Sequence, residues 1–406
     1  MKVLLLSFYF KPDLSAGSFR NTALVESLLR TLPEESKIHV VTTLPNRYAG
    51  FSAEAPEEEV TPNLTIRRVR LPAHESGMAD QSRAFLAFAK QVNQFVKGQN
   101  YDVVFASSSR LMTAALGAKV ARQLGAPLYL DIRDIFVDTI KDVLPRKLAW
   151  LMKPLFGAVE RWTISRADRL NVVSAGFLPY FDARYPKVSK VVFTNGIDDE
   201  FLRAEPENGH KNTAATGEPI AGEAPENRVV EVLYAGNMGE GQGLHNIVPR
   251  LAKKMEGRVR FRLIGGGGRR RQLEEAITRA GCTNVVLEPP VARPELIQAY
   301  QKADVLFLHL NDYDAFRKVL PSKLFEYGAL GKPIWAGVAG YAASFVRENL
   351  DNAEVFPPCA EGEAEEAFNR LRIRNEAREK FVARFSRRAI MGEMARDLVA
   401  LGESHN

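Results

Sequence analysis

At 406 residues, 46% hydrophobic and 26% charged, the chain is long enough for two domains with substantial cores and too apolar for a disordered one. A formal net charge of +6 and a pI near 9.2 give a basic surface without the Lys/Arg density of a nucleic-acid binder. An anionic membrane face, a pyrophosphate-bearing substrate or no partner at all accounts for that charge equally. Two cysteines without metal spacing, Cys282 and Cys359, and six scattered histidines argue against a disulfide framework or a structural metal, and fit a reducing, cytoplasmic compartment.

The opening Met1 to Phe10 is apolar but short, ends in Lys11-Pro12-Asp13 and lacks a small-residue cleavage site, so it reads as a first core strand. No run approaches the ~20 apolar residues of a membrane span. After the strand Val3 to Phe10 comes a loop, then Phe19, Ala23, Leu24 and Leu28 along one helix face. Strands are expected at Ile38 to Thr43, Leu64 to Val69, Asp102 to Ala106, Pro127 to Leu130, 169 to 174 and 190 to 194. Helices fall between them, one marked by Phe85, Phe88, Val92 and Phe95 and another near 111 to 124. This alternation predicts a parallel sheet with crossover helices, a first domain over residues 1–202. The first loop carries a lone Gly17 in place of GxGxxG, either a turn residue or the opening of a helix N-terminus. Asp131, Arg133 and Asp134 end an apolar strand, as pocket charges or as a structural ion pair. Residues 143–165 form a basic helical stretch with Leu148, Trp150, Leu151, Met152, Leu155 and Phe156. It either rests on a membrane surface or links elements partly buried, since Pro154 interrupts its face.

Residues 203–228 are polar and low in core formers, which predicts a flexible linker. A second α/β series over 229–376 begins with the strand Val230 to Tyr234 and the small-residue loop Ala235 to Leu244. There Asn237 and, above all, Gly239 can bring backbone amides to an anion. The strand Arg258 to Ile264 runs into Gly265 to Gly268, whose glycines imply close approach of a backbone or ligand, and then Arg269 to Arg271, a solvated helix start. Val285 to Leu287 leads into Pro289-Pro290-Val291. Beyond the strand Asp304 to His309, Leu320-Pro321-Ser322 opens a helix that packs through Leu324, Phe325, Tyr327, Ala329 and Leu330 and stops at Gly331. Its N-terminus suits a diphosphate, and Glu326, one turn in, suits two neighbouring ribose hydroxyls; an ordinary capped helix would look the same. Residues 377–401 show one more helix, in a tail 377–406.

The order of these stretches resembles the retaining GT-B glycosyltransferases, specifically the large family-four group. The resemblance implies two Rossmann-like, doubly wound parallel-sheet domains facing a cleft, with the last helix crossing back onto the first domain. Residues 314–335, DAFRKVLPSKLFEYGALGKPIW, carry it furthest. Members of the group have two glutamates flanking seven residues, the first on the donor sugar and the second on the ribose. Glu326 matches the second, but Lys318 stands where the first belongs. The variant PSKLFEY followed by GKP resembles enzymes that build bacterial O-antigens and capsules, where Lys323 lies beside the phosphates with Ser322 and Leu324. Thr43 to Tyr48 and Asp131 to Asp134 resemble the same subgroup, and Gly17 resembles the acceptor-loop glycine, with Asp131 on the acceptor side. The loop 235–244 looks like the diphosphate cradle. Gln242 replaces a frequent basic residue there, leaving Lys323 or Arg269 to supply positive charge. Gly266 lies in the run below the nucleotide, and Val291 in the segment whose backbone reads the base.

The implied activity is transfer of a sugar from a nucleotide donor, a UDP-sugar, to a lipid-linked or glycan acceptor in bacterial surface polysaccharide synthesis, without metal or other cofactor and with no nucleic-acid partner. Asp134, Arg133 and Lys318 are the candidates nearest the reacting sugar. A lysine cannot accept a hydrogen bond as glutamate does, so either the donor is an acidic or deoxy-amino sugar or Asp314 takes over. The protein is expected in the cytoplasm, with a peripheral contact on the inner membrane face. Two other readings share this architecture: a nucleotide-sugar 2-epimerase, which wants an acid/base set across the cleft, and a non-catalytic nucleotide-binding subunit.

Overall fold

The computed structural model describes residues 1–13, 15–45, 55–72, 78–108, 111–135, 137, 146–202 and 228–405. The expected linker, apart from residue 228, and residues 46–48 and 143–145 lie outside them, as do the side chains of Leu148, Trp150 and Leu151. The chain divides into two compact units, one of residues 1–196 and 386–406, the other of residues 197–385. The division differs from the expected boundaries at 202 and 377. Asp198 and Glu200 pair with Arg293, which ties the start of the second unit to its own body.

The first unit contains β1 (Lys2–Leu6), α1 (Ala16–Thr31), β2 (Lys37–Thr43), β3 (Glu58–Val60), β4 (Leu64–Val69), α2 (Met78–Val96), β5 (Val103–Ser107), α3 (Leu111–Leu124) and β6 (Leu128–Ile132). It continues through α4 (Arg146–Ile164), β7 (Arg169–Val172), α5 (Leu178–Arg184) and β8 (Ser189–Val191). Its sheet runs β3-β4-β2-β1-β5-β6-β7-β8, parallel except for the edge strand β3. The strand order reverses direction between β1 and β5, the point at which open α/β sheets receive ligands. The first strand is shorter than its apolar run because Ser7 Oγ donates to the Tyr9 carbonyl at 2.7 Å and turns the chain.

In the second unit β9 (Val230–Asn237), α7 (Leu244–Lys254), β10 (Val259–Gly266), α8 (Arg270–Arg279), β11 (Val285–Glu288), α9 (Arg293–Lys302) and β12 (Val305–His309) follow a short helix, α6 (Asp199–Leu202). Then come α10 (Lys323–Ala329), β13 (Ile334–Gly337), α11 (Gly340–Asn349), β14 (Ala353–Phe356), α12 (Glu361–Arg370) and α13 (Glu379–Phe385). The sheet is parallel throughout, in the order β11-β10-β9-β12-β13-β14, with its switch point between β9 and β12. Trp335 centres the core, its ring 5.1 Å from both Phe307 and Phe368, with Nε1 donating to the Ala364 carbonyl at 2.9 Å. Burying such aromatics contributes a few kcal/mol each.

The single helix expected at 377–401 is two. The break falls at Ser386, whose extended ψ of 124° ends α13 before α14 (Arg387–Glu403) begins. Apolar spacing carries through the break, but its two halves bury in different places. Phe381 stacks on Phe325 and Phe385 meets it edge-on in the second unit, whereas Met391, Met394 and Leu398 are buried where α14 packs on α1 in the first.

Candidate donor-nucleotide site

Two loops meet at the switch point of the second unit, one after β9 and one after β12. Gly236, at φ +139°, lets the Lys323 ammonium lie against the first loop; a Cβ there would stand 2.3 Å from Nζ. The ammonium also sits 5.3 Å from the centre of the Tyr234 ring, a cation–π contact. Burial pulls the Lys323 amine below its ordinary range, against the field of Glu326. Glu326 lies in the first turn of α10 and accepts from Tyr300 Oη at 3.3 Å. Burial raises its carboxyl, while Lys323 and then Arg293 lower it. The site therefore holds a cation, a half-buried carboxylate and a loop backbone within one αβ unit.

Glycines 265 and 267 owe their place to backbone contact with this loop. At φ +145°, Gly265 would put a Cβ 1.9 Å from the Gly236 carbonyl oxygen, and Met238 N–H donates to the Gly266 carbonyl at 2.7 Å. Arg269 N–H returns to the Met238 carbonyl at 2.9 Å, so the two glycine loops are zipped together. Gly266 has its nearest neighbour in Pro290, 3.6 Å from a built Cβ, and Val291 is half-buried just beyond. The arginine run divides in role. Arg271 is solvated, but Arg270 reaches back to the Glu288 carbonyl at 2.7 Å and to that of Gly265, holding the ends of β10 and β11. Arg269 is exposed and paired with Glu240, so its charge is already shared with a carboxylate.

Gly239 precedes a 3-10 turn, and its N–H donates to Gln242 Oε1 at 3.2 Å; Asn237 Nδ2 donates to the same oxygen at 2.9 Å. Leu324 is fully buried and its N–H is taken by the Pro321 carbonyl at 3.1 Å, so the expected contact of Leu324 with a nucleotide is corrected to a packing role. Ser322 caps α10 without a side-chain hydrogen bond. Lys318 is half-buried at the end of a 3-10 turn, Asp314–Lys318, and Asp314 faces Arg317 at 3.9 Å. Residues that sequence reasoning passed over include Tyr234, Arg293, Tyr300 and the run His309, Asn311 and Tyr313 behind the loop. For the last three the one available signal was polar residues at alternate positions beyond an apolar strand.

In the first unit, Ser15 caps α1 by accepting from Ser18 N–H at 3.1 Å, and Gly17 lies in that first turn against Arg133. A Cβ on Gly17 would stand 3.8 Å from the guanidinium carbon. Arg133 donates to Asn195 Oδ1 at 3.3 Å, and burial pulls its pKa down to about 10. Asp134 is exposed. Asp131 is not beside them in role: its carboxylate is fully buried and accepts two bonds from Arg20, both 3.0 Å, and one from Asn171 at 2.6 Å. The acceptor-side expectation for Asp131 is therefore replaced by a structural ion pair, whose partner Arg20 lies in the second turn of α1 and could not be paired with it by spacing.

With this geometry in view, comparison with known proteins is decisive for the class. Residues 23–196 match the glycosyl transferase 4-like domain and residues 221–388 the glycosyl transferases group 1 domain. The chain belongs to the glycosyltransferase superfamily. An Escherichia coli (strain K12) protein named for colanic acid biosynthesis glycosyl transfer, WcaI, is 31% identical over 146 residues, 35% of this chain. The match spans 34% of that relative's length. Among solved structures, Anabaena Alr3699/HepE in complex with UDP aligns at a TM-score of 0.64 and 15% identity, over 98% of this chain and 100% of that one. The lipopolysaccharide outer core galactosyltransferase WaaB aligns at 0.60 and 13%, over 98% and 99%. At such identities these two likenesses establish the GT-B fold alone.

Proposed function

We propose that the chain is a retaining glycosyltransferase that moves a sugar from a UDP-sugar to a lipid-linked or glycan acceptor in bacterial surface polysaccharide synthesis. One observation carries this reading: the Lys323 ammonium lies against the glycine loop at the sheet's switch point, with Glu326 in the same helical turn. As the donor's glycosidic bond breaks, negative charge grows on the departing diphosphate. Backbone amides of the loop after β9 and Lys323 stabilise it in a partly buried site, where fixed charges act most strongly. The Glu326 carboxylate accepts the two ribose hydroxyls, and the 289–291 backbone meets the base. The departing phosphate takes the acceptor's proton, so no carboxylate nucleophile is assigned. Arg133 and Asp134 serve the acceptor or the transferred sugar. No metal is required, since Lys323 supplies the cation.

A groove of about 550 Å³ in the first unit, lined by Phe85, Met112, Leu116 and Trp162, supports a lipid-linked acceptor and a contact with the inner membrane face. Leu86 and Leu155 are exposed to 66% and 56%, and the exposed charges on these helices among the described residues, including Lys90, Lys119, Arg122 and Lys153, are cationic. Among the described residues no helix is long and apolar enough to cross a membrane.

The test is a panel of UDP-, GDP- and dTDP-sugars, read by donor hydrolysis and by thermal stabilisation, which a ligand of the native state must raise. UDP is expected to stabilise the protein, and Glu326→Ala to weaken UDP by roughly 10- to 100-fold, the loss of two charge-assisted hydrogen bonds. Stabilisation without turnover on any acceptor would favour a non-catalytic subunit, and accumulation of a 2-epimer an epimerase. No response to any nucleotide would overturn the proposal.

A further inference from the structure

Lys323 is a cation with no counter-ion in contact. Among the described residues its ammonium makes no hydrogen bond and no ion pair, although the residue is half-buried. Glu326, one turn on in α10, reaches it only through its field. Burial by itself favours the neutral amine, which would carry no charge for a diphosphate. What the ammonium does meet is supplied by β9. The Tyr234 ring lies 5.3 Å from Nζ, and the bare backbone of Gly236 lets the end of the side chain come close, since a Cβ there would stand 2.3 Å from Nζ and 2.7 Å from Cε. Tyr234 is fully buried, and its ring is held in place by its own hydroxyl, which donates to the Asn237 carbonyl at 2.5 Å. The same peptide is pinned on its other side, where Met238 N–H donates to the Gly266 carbonyl at 2.7 Å.

We propose that Tyr234 is a positioning residue: its ring face seats the Lys323 ammonium and keeps it charged before the donor arrives, ready for the diphosphate. This rests on the donor-site reading above and adds the residue that makes its cation available. The negative face of an aromatic ring attracts an ammonium and has no such attraction for the neutral amine, so the ring stands in for part of the water that burial removes. A carboxylate in the same place would also hold the lysine, but it would cancel the charge. The ring leaves that charge for a phosphate. The other titratable groups around the pair are Glu326 and Tyr327 on α10 and Arg293 and Tyr300 on α9, and burial keeps all three phenols protonated.

Two rings of nearly the same shape separate seating from packing. Tyr234→Phe and a trifluorinated phenylalanine at the same position both lack the hydroxyl, so similar falls in thermal midpoint are expected. Fluorine withdraws the negative face, which removes the preference for the charged lysine and lowers the pH at which it loses its proton. Calorimetric titration with UDP from about pH 7 to about pH 10 is expected to show affinity falling as Lys323 deprotonates. In the fluorinated protein that fall should begin roughly half to one pH unit lower than in Tyr234→Phe. In a Lys323→Met background, where no ammonium remains, the two rings should give the same profile. Coincident profiles with Lys323 present, or an offset that persists in Lys323→Met, would overturn the proposal. Failure of the parent protein to bind UDP would instead sink the donor-site reading, which the parent's own titration reports separately.

Discussion

Removing the carboxylate of Asp131 tests the buried pair on which the first unit is built. Arg20 and Asp131 have at most 1% of their side chains exposed and meet through two 3.0 Å bonds, while Arg20 also donates to the carbonyls of Phe193 and Thr194. Asp131→Ala leaves a buried guanidinium with only neutral acceptors and Asn171 without its 2.6 Å partner. Breaking such a pair costs about 3–5 kcal/mol, because the remaining charge has neither water nor counter-ion. For a domain of this size that corresponds to a fall in midpoint on the order of 10 °C. Asp131→Asn, which keeps one acceptor oxygen, should lose less. Arg20→Leu combined with Asp131→Leu should lose less than the sum of the single changes, since no charge is stranded. Scanning calorimetry of the full chain reads these shifts, and UDP affinity, a property assigned to the other unit, should be unchanged. The reasoning fails if Asp131→Ala melts within about 1 °C of the parent yet loses transfer at saturating donor. That outcome would return Asp131 to the acceptor side.

Two further outcomes follow from the second unit. Gly265→Ala must place a methyl 1.9 Å from the Gly236 carbonyl oxygen at a φ of +145°, and should cost more than about 3 kcal/mol or prevent folding, whereas Gly268→Ala, with no atom within 4 Å, should stay within about 0.5 kcal/mol in chemical denaturation. His309 titrates near pH 4 because burial disfavours the imidazolium. The unfolded chain takes up that proton near pH 6.5, so the neutral ring's contribution is complete above that pH and is lost as pH falls toward 4, by about 3 kcal/mol. Denaturation curves across this window should show the loss in the parent and a shallower slope in His309→Gln; equal slopes would refute the assignment.

What the chain's residues determined by themselves was local and periodic. Apolar runs four to six residues long alternating with helical spacing specify strands and crossover helices, and hence two parallel sheets, because each element can bury its apolar face in only one such layering. Gly239 and Gly265 were visible as places where a backbone must come close, and Lys323 and Glu326 as the charges of a capped helix. Tertiary structure decided which residues answer one another. Arg20 and Asp131 are 111 positions apart, and no period links them. The glycine run proved to be a surface for another backbone, and Arg270 a clamp where three consecutive arginines read as solvated. The apolar rhythm of 377–401 hid a break at Ser386, since hydrophobic spacing records that a face is buried and not against what. His309 shows the same limit: at the end of an apolar strand it reads as one more core residue. Only the meeting of the loop after β9 and the segment after β14 with the end of β12, set by sheet order, turns its two ring nitrogens toward the Gln242 carbonyl and the Cys359 amide.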